Sequence, residues 1–80
     1  MSFAEKFKTS LGDLVYLVRG KDRNRDAWHY ILVSKLKLSI FLTKIKEGSL
    51  DIAHYGQVLH SGWGRNPPEH ITEAVKKEYP

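Results

Sequence analysis

The sequence predicts an α+β fold: a small antiparallel sheet of about three strands packed with two or three helices, in the order α-β-β-α-β-α. Three observations predict it. Two runs rich in β-branched and aromatic residues, "DLVYLVRG" and "AWHYILV", are separated only by a short charged stretch. A later run, "SKLKLSIFLTKIKEG", carries apolar residues at helical spacing. The C-terminal stretch opens with "NPPE", a helix-start signature, and then places its apolar residues on one face.

Each element has its own warrant. Residues 2–10 place Phe3 and Phe7 four apart, with Glu5, Lys6 and Lys8 elsewhere, and predict a short amphipathic helix ended by Gly12 and Asp13. Residues 14–19 and 27–33 predict two strands, joined through "GKDRNRD" as an antiparallel hairpin. Both strands are apolar on both faces, so the hairpin is expected to be central or covered on both sides. Over 35–47, Leu36, Leu38, Ile40 and Leu42 alternate as in a strand, while Leu38, Phe41, Leu42 and Ile45 fit a helix. The boundaries favour the helix: Ser34 suits an N-cap, Gly48 suits the left-handed residue after the last turn, and Lys44 and Lys46 suit the negative end of the dipole. "QVLHSG" predicts the third strand. In the last segment Asn66 is the expected N-cap, Pro67 the first helical residue and Glu69 the partner in a capping box, for a helix over about 67–78. The expected core is Leu14, Tyr16, Val18, Ile31, Val33, Phe41, Leu42, Ile45, Val58, Ile71 and Val75.

Composition bounds the rest. Eighty residues make one small globular domain over 1–80. At roughly 0.05–0.15 kcal/mol per residue its stability is about 4–12 kcal/mol, which leaves little core to give up to a deep cavity. Hydrophobic content of 41% and charged content of 28% argue against disorder. The absence of cysteine removes disulfides, thiolate zinc sites and cysteine nucleophiles, and fits a reducing cytoplasm. "MSFAEKFKTSLGD" does not read as a secretory signal, and no apolar run approaches the roughly 20 residues of a membrane span. The net charge of +4 permits an anionic partner without requiring one.

"HSGWGRNPPEH", residues 60–70, is the most distinctive stretch. Capping explains its second half. In the first half Gly62 and Gly64 flank Trp63. Small domains mostly bury tryptophan, which favours a Trp63 that closes the core edge. The alternative is an exposed aromatic anchor on a glycine frame, of the kind enriched in interface hot spots. "AWHYILV" followed by a helix, then "YGQVLHSGWG" and "PPE", resembles a group of small bacterial proteins, over roughly the last two thirds of the chain. The resemblance implies a compact α+β domain in the bacterial cytoplasm and transfers no catalytic residue.

Four chemistries compete for these residues. The histidines, His29, His54, His60 and His70, lack metal-ligand spacing, so no metal and no cofactor is expected. His29, Tyr30, Arg23, Arg25, His54, Tyr55, His60 and Arg65 are the residue types of small basic ribonucleases, but nothing in the spacing converges them. Arg19, Lys21, Arg23 and Arg25, beside Trp28, His29 and Tyr30, suit nucleic acid, with cations on phosphate and Trp28 stacking on bases; Asp22 and Asp26 dilute that cluster. The leading expectation is a non-enzymatic cytoplasmic module that binds another protein, with Trp63 as aromatic anchor, Arg65 as its charged neighbour and Tyr55 beside them. Nucleic-acid binding through Arg19, Lys21, Arg23, Arg25 and Trp28 is the alternative.

Overall fold

A computed structural model describes residues 3–10, 13–48 and 54–79, with side chains from residue 14 onward. Four strands form one antiparallel meander: β1 (Phe3–Ser10), β2 (Asp13–Asp22), β3 (Arg25–Ser34) and β4 (Gln57–Trp63), in the spatial order β1-β2-β3-β4. A 3-10 turn (Lys35–Lys37) leads into α1 (Leu38–Lys46), which precedes β4, and α2 (Glu69–Glu78) follows it. The class is α+β as expected. The order is β-β-β-α-β-α, with four strands where three were expected.

The first element accounts for the difference. The helix expected over 2–10 is a strand where the structure describes it. Phe3 pairs with Arg19 and the register runs to Ser10 opposite Asp13, shifted once between Lys6 and Lys8. A helix this short has little stability of its own. The open edge of β2, a strand apolar on both faces, offers this segment a full ladder of hydrogen bonds instead.

β2 and β3 are the central strands, and both of their faces are covered. Cross-strand partners share a face. Leu14 with Val33 and Tyr16 with Ile31 join Val18 beneath Phe41 and Ile45 of α1, with Leu38 and Leu42 packed alongside. The rings of Tyr16 and Phe41 sit 5.3 Å apart. On the other face Val15, Leu17, Trp28 and Tyr30 meet Val75 of α2, flanked by Ile71 and Tyr79 one turn to either side. Tyr30 is fully buried, and its hydroxyl lies 2.9 Å from Thr72 Oγ1, which fastens α2 to the sheet. The expected core captured the α1 side but omitted Val15, Leu17, Trp28 and Tyr30 from the α2 side. Leu42 and Ile71 are only partly buried, and Val58 is exposed.

Helix boundaries follow local chemistry. Gly48 takes φ 87°, and its N–H donates to Ile45 O at 3.0 Å, as the glycine stop requires. Ser34 precedes the 3-10 turn in extended conformation without a side-chain cap bond. Leu36 and Ile40, part of the alternating pattern that a strand would need, point outward. At α2 the expected start moves: Pro68, not Asn66, is the N-cap, at φ −58° and ψ 148°, and its carbonyl accepts from Ile71 and Thr72. Pro67 cannot begin the helix because the proline after it disfavours the α region.

A candidate binding surface at the hairpin end of the sheet

β2 and β3 are joined by two residues, Arg23 and Asn24, both left-handed at φ 52° and 65°, with Asp22 opposite Arg25. Positive φ at both positions is the type I′ geometry that matches sheet twist. The seven-residue loop read from "GKDRNRD" thus contracts to a tight turn at the end of two long strands. Lys21 sits 3.8 Å from Asp26 on one side of this ribbon, both well exposed.

β4 brings the Gly-Trp-Gly run to the same end. Trp28 pairs with Gly62, and Ala27 pairs with Trp63. A Cβ at Gly62 would stand 2.6 Å from Trp28 Cζ2 and 2.9 Å from Cε2, so the strand passes the buried indole only with glycine there. Gly64 takes φ 104°, and its N–H donates to Asp26 O at 2.8 Å, closing the ladder. Both glycines are therefore explained by the sheet. Trp63 between them is not in the core. It is 51% exposed, and the Arg25 guanidinium carbon lies 4.2 Å from its ring centroid. Such a stack contributes about 0.5–1 kcal/mol at an exposed site.

Arg65 continues from this end, and its carbonyl accepts from Arg19 Nε at 3.1 Å, drawing the β4–α2 connection back over β2. Arg19, Lys21, Arg23, Arg25 and Arg65 therefore share one end of the sheet. With Asp22 and Asp26 they leave a net +3 there, out of +4 for the chain.

On the α1-side face, beyond the helix, Asp22, Ala27, His29, Ser61, Gly62 and Trp63 line an open cleft of about 250 Å³. His29 and Ser61 are cross-strand partners. Burial pushes the His29 imidazole below its usual range, and the Asp22 carboxylate partly opposes that; its Nδ1 is enclosed without a hydrogen-bond partner. His29 is therefore neutral at pH 7. A second cleft of about 280 Å³ lies on the other face, between Leu17, Arg19, Tyr30, Asn66, Pro67, Thr72 and Lys76.

The expected sites are thus partly merged and partly redrawn. Trp63 and Arg65, expected to meet a protein, adjoin Arg19, Lys21, Arg23 and Arg25, expected to meet nucleic acid. Trp28 does not join them on the surface. It is 4% exposed, edge-on to Tyr30 in the α2-side core, and has no face to offer a base. Tyr55 is not beside Trp63: it packs against the α1-side core, before the first residue of β4, whereas Trp63 is that strand's last. Seven strand residues at ~3.3 Å each separate them by roughly 20 Å or more. His54 accompanies Tyr55, and His70 is exposed on α2, so the four histidines do not converge. Among the described residues no group of three or more His, Asp or Glu side chains is placed to hold a metal ion, and no helix is long and apolar enough to cross a membrane. The Arg25–Trp63 contact was missed by sequence reasoning; only a pairing of "RDAW" with "SGWG" in the correct register would have revealed it.

No protein-family model, curated protein or solved structure matches the chain.

Proposed function

We propose that this domain is a non-enzymatic cytoplasmic binding module whose hairpin end engages a partner protein carrying acidic groups. The observation behind this reading is the exposed Trp63 stacked with Arg25, at a sheet end that carries four more cations. Trp63 is the anchor. Arg25 lies against it and supplies charge-assisted hydrogen bonds to carboxylates, and Arg65 adds its charge at the same end of the sheet. Tryptophan and arginine together are the residue types most enriched in interface hot spots. The structured sheet beneath them limits the ordering cost of binding.

A second reading has its own support. A strand-borne aromatic beside clustered cations is also the arrangement that binds single-stranded nucleic acid, with Trp63 replacing Trp28 as the stacking residue beside Arg19, Lys21, Arg23 and Arg25. The protein reading is preferred because Asp22, lining the cleft next to Trp63, and Asp26, beside Lys21, interrupt the continuous run of cations that a phosphate backbone tracks, whereas a peptide needs a carboxylate only opposite Arg25.

Affinity capture from lysate of the cells that make the protein separates the two. Wild-type, Trp63→Ala, Arg25→Ala and Tyr55→Ala baits are compared, with nuclease treatment in a parallel arm. The expected result is a protein, identified by mass spectrometry, that binds the wild type and the Tyr55 variant, is lost from the other two, and persists after nuclease. Loss on nuclease treatment, with steep salt dependence, would give the surface to nucleic acid.

A further inference from the structure

The backbone at this end of the sheet carries information that the side chains do not. Asp22 and Arg25 flank a two-residue type I′ turn, so they form a hydrogen-bonded pair, and such pairs alternate along an antiparallel ladder. In β3 the main chains of Ala27 and His29 therefore face β2, and those of Asp26, Trp28 and Tyr30 face β4. The 2.8 Å bond from Gly64 N–H to Asp26 O obeys this alternation. Carried across the uninterrupted register from Trp63 opposite Ala27 to His60 opposite Tyr30, it directs the main chains of Gly62 and His60 inward. Those of Ser61 and Trp63 face away from β3, at the edge of the sheet, and among the described residues no backbone segment bonds to them.

The two edges of the sheet differ in chemistry. β1 carries Glu5, Lys6 and Lys8, the kind of charge that protects an edge strand from pairing. β4, "QVLHSGW", carries no formal charge and no proline. Its irregularity lies at the other end, between the partners of Tyr30 and Ile31, and leaves the Ser61–Trp63 half regular. Beside that half stands Arg25, against Trp63.

We infer that the partner docks as an extended acidic segment, adding a strand to the sheet along the Ser61–Trp63 edge of β4. This rests on the protein-binding reading above and names its mode. Main-chain bonds to Ser61 and Trp63 provide the register. On the added strand the side chains opposite Ser61 and Trp63 share their face: there a carboxylate meets Arg25, and an apolar residue two positions away packs on the exposed indole. Charge selects the occupant: a neutral edge in a net +3 surround favours an acidic segment over a second copy of this chain, which would bring its own cations.

The probe is the peptide acetyl-Thr-Glu-Thr-Val-Thr-Glu-Thr-amide, whose two carboxylates and valine share one face, with two controls: the same peptide N-methylated at alternate residues in either frame, and a version with lysine at the two acidic positions. Amide hydrogen exchange is followed by NMR on the intact protein. In the free protein the Ser61 and Trp63 amides exchange fast, and those of His60 and Gly62 slowly. The acidic peptide is expected to protect Ser61 and Trp63. Binding is expected to weaken about tenfold or more on N-methylation in one frame, since each lost hydrogen bond is worth about 0.5–1.5 kcal/mol, and to be absent with the lysine peptide. Ser61→Pro removes only an outward N–H and is expected to fold and to abolish binding. If that variant fails to fold, the N-methylated peptides carry the test. Binding that shifts the Trp63 indole but leaves both amides unprotected, and is indifferent to N-methylation, overturns strand addition while sparing the protein-binding surface. No binding by the acidic peptide, or a dimer of the free protein that Ser61→Pro dissolves, overturns the inference; whether the surface binds protein is then decided by the Trp63→Ala and Arg25→Ala captures.

Discussion

Gly62→Ala is the sharpest test of how the strand bearing Trp63 is built. The added methyl would stand 2.6 Å from Trp28 Cζ2, 2.9 Å from Cε2 and 3.2 Å from Nε1, all atoms of one rigid ring. The ring cannot yield easily. Trp28 is 4% exposed, wedged edge-on against Tyr30, which is itself fully buried and tied to Thr72. Relief to the ordinary contact of ~3.5–4.0 Å needs a shift of about 1 Å in either the indole or the β4 backbone. Overpacking of this kind costs about 1–3 kcal/mol. Against a total stability of about 4–12 kcal/mol, that is a large fraction. Urea unfolding followed by circular dichroism measures it. With m near ~1 kcal/mol/M for so small a domain, the midpoint should fall by about 1–3 M at unchanged m. Trp28→Phe in the Gly62→Ala background should recover part of the loss, because the six-membered ring that the methyl strikes is gone. A midpoint shift below about 0.3 M, or equal losses in the two backgrounds, would refute the argument that Gly62 is required by the indole.

Three further outcomes follow from local geometry. Asn24→Gly places the residue best suited to φ 65° at the second turn position and should stabilise the domain by about 0.5–1 kcal/mol in the same urea assay. Tyr30→Phe removes the hydroxyl that meets Thr72 and should cost about 1 kcal/mol, with the loss coupled to Thr72→Val in a double-mutant cycle. His29 has a folded-state pKa below its unfolded value, so the unfolded chain binds its proton more readily. The contribution of His29 to stability is therefore present above about pH 6.5 and is lost as the pH falls below it; His29→Gln should flatten that part of the stability–pH profile.

Much of the scaffold was legible because each element carried a local signal. Alternation in "DLVYLVRG" and "AWHYILV" marked the central hairpin, and continuous apolarity marked it as covered on both faces. Gly48 ended α1 where its left-handed conformation requires. The failures were tertiary. "FAEKFKTS" fits a helix and a strand equally well by spacing, and the open edge of β2 decides between them, which no local pattern can show. Trp28, expected to stack on bases, is buried, and Trp63, which the burial tendency of tryptophan favoured as core, is exposed, for a similar reason: which tryptophan is buried depends on the β3–β4 register that sets Gly62 against Trp28. The candidate site was legible as two separate lists, Trp63 with Arg65 and Arg19 with Lys21, Arg23 and Arg25. Their union at one end of the sheet depends on the meander. Tyr55 fell out because it precedes β4, which carries Trp63 a full strand length away from it.

The central claim is that the hairpin end, and not the overall positive charge, selects the partner. Quantitative capture from lysate with wild-type, Arg25→Glu and Lys46→Glu baits tests it most directly, because both substitutions change the net charge equally and Lys46 is exposed on α1, at the end of the helix. The account predicts that Arg25→Glu removes the retained partner and Lys46→Glu retains it at near wild-type yield. Equal loss from both baits would contradict the account and reduce the recognition to net charge alone.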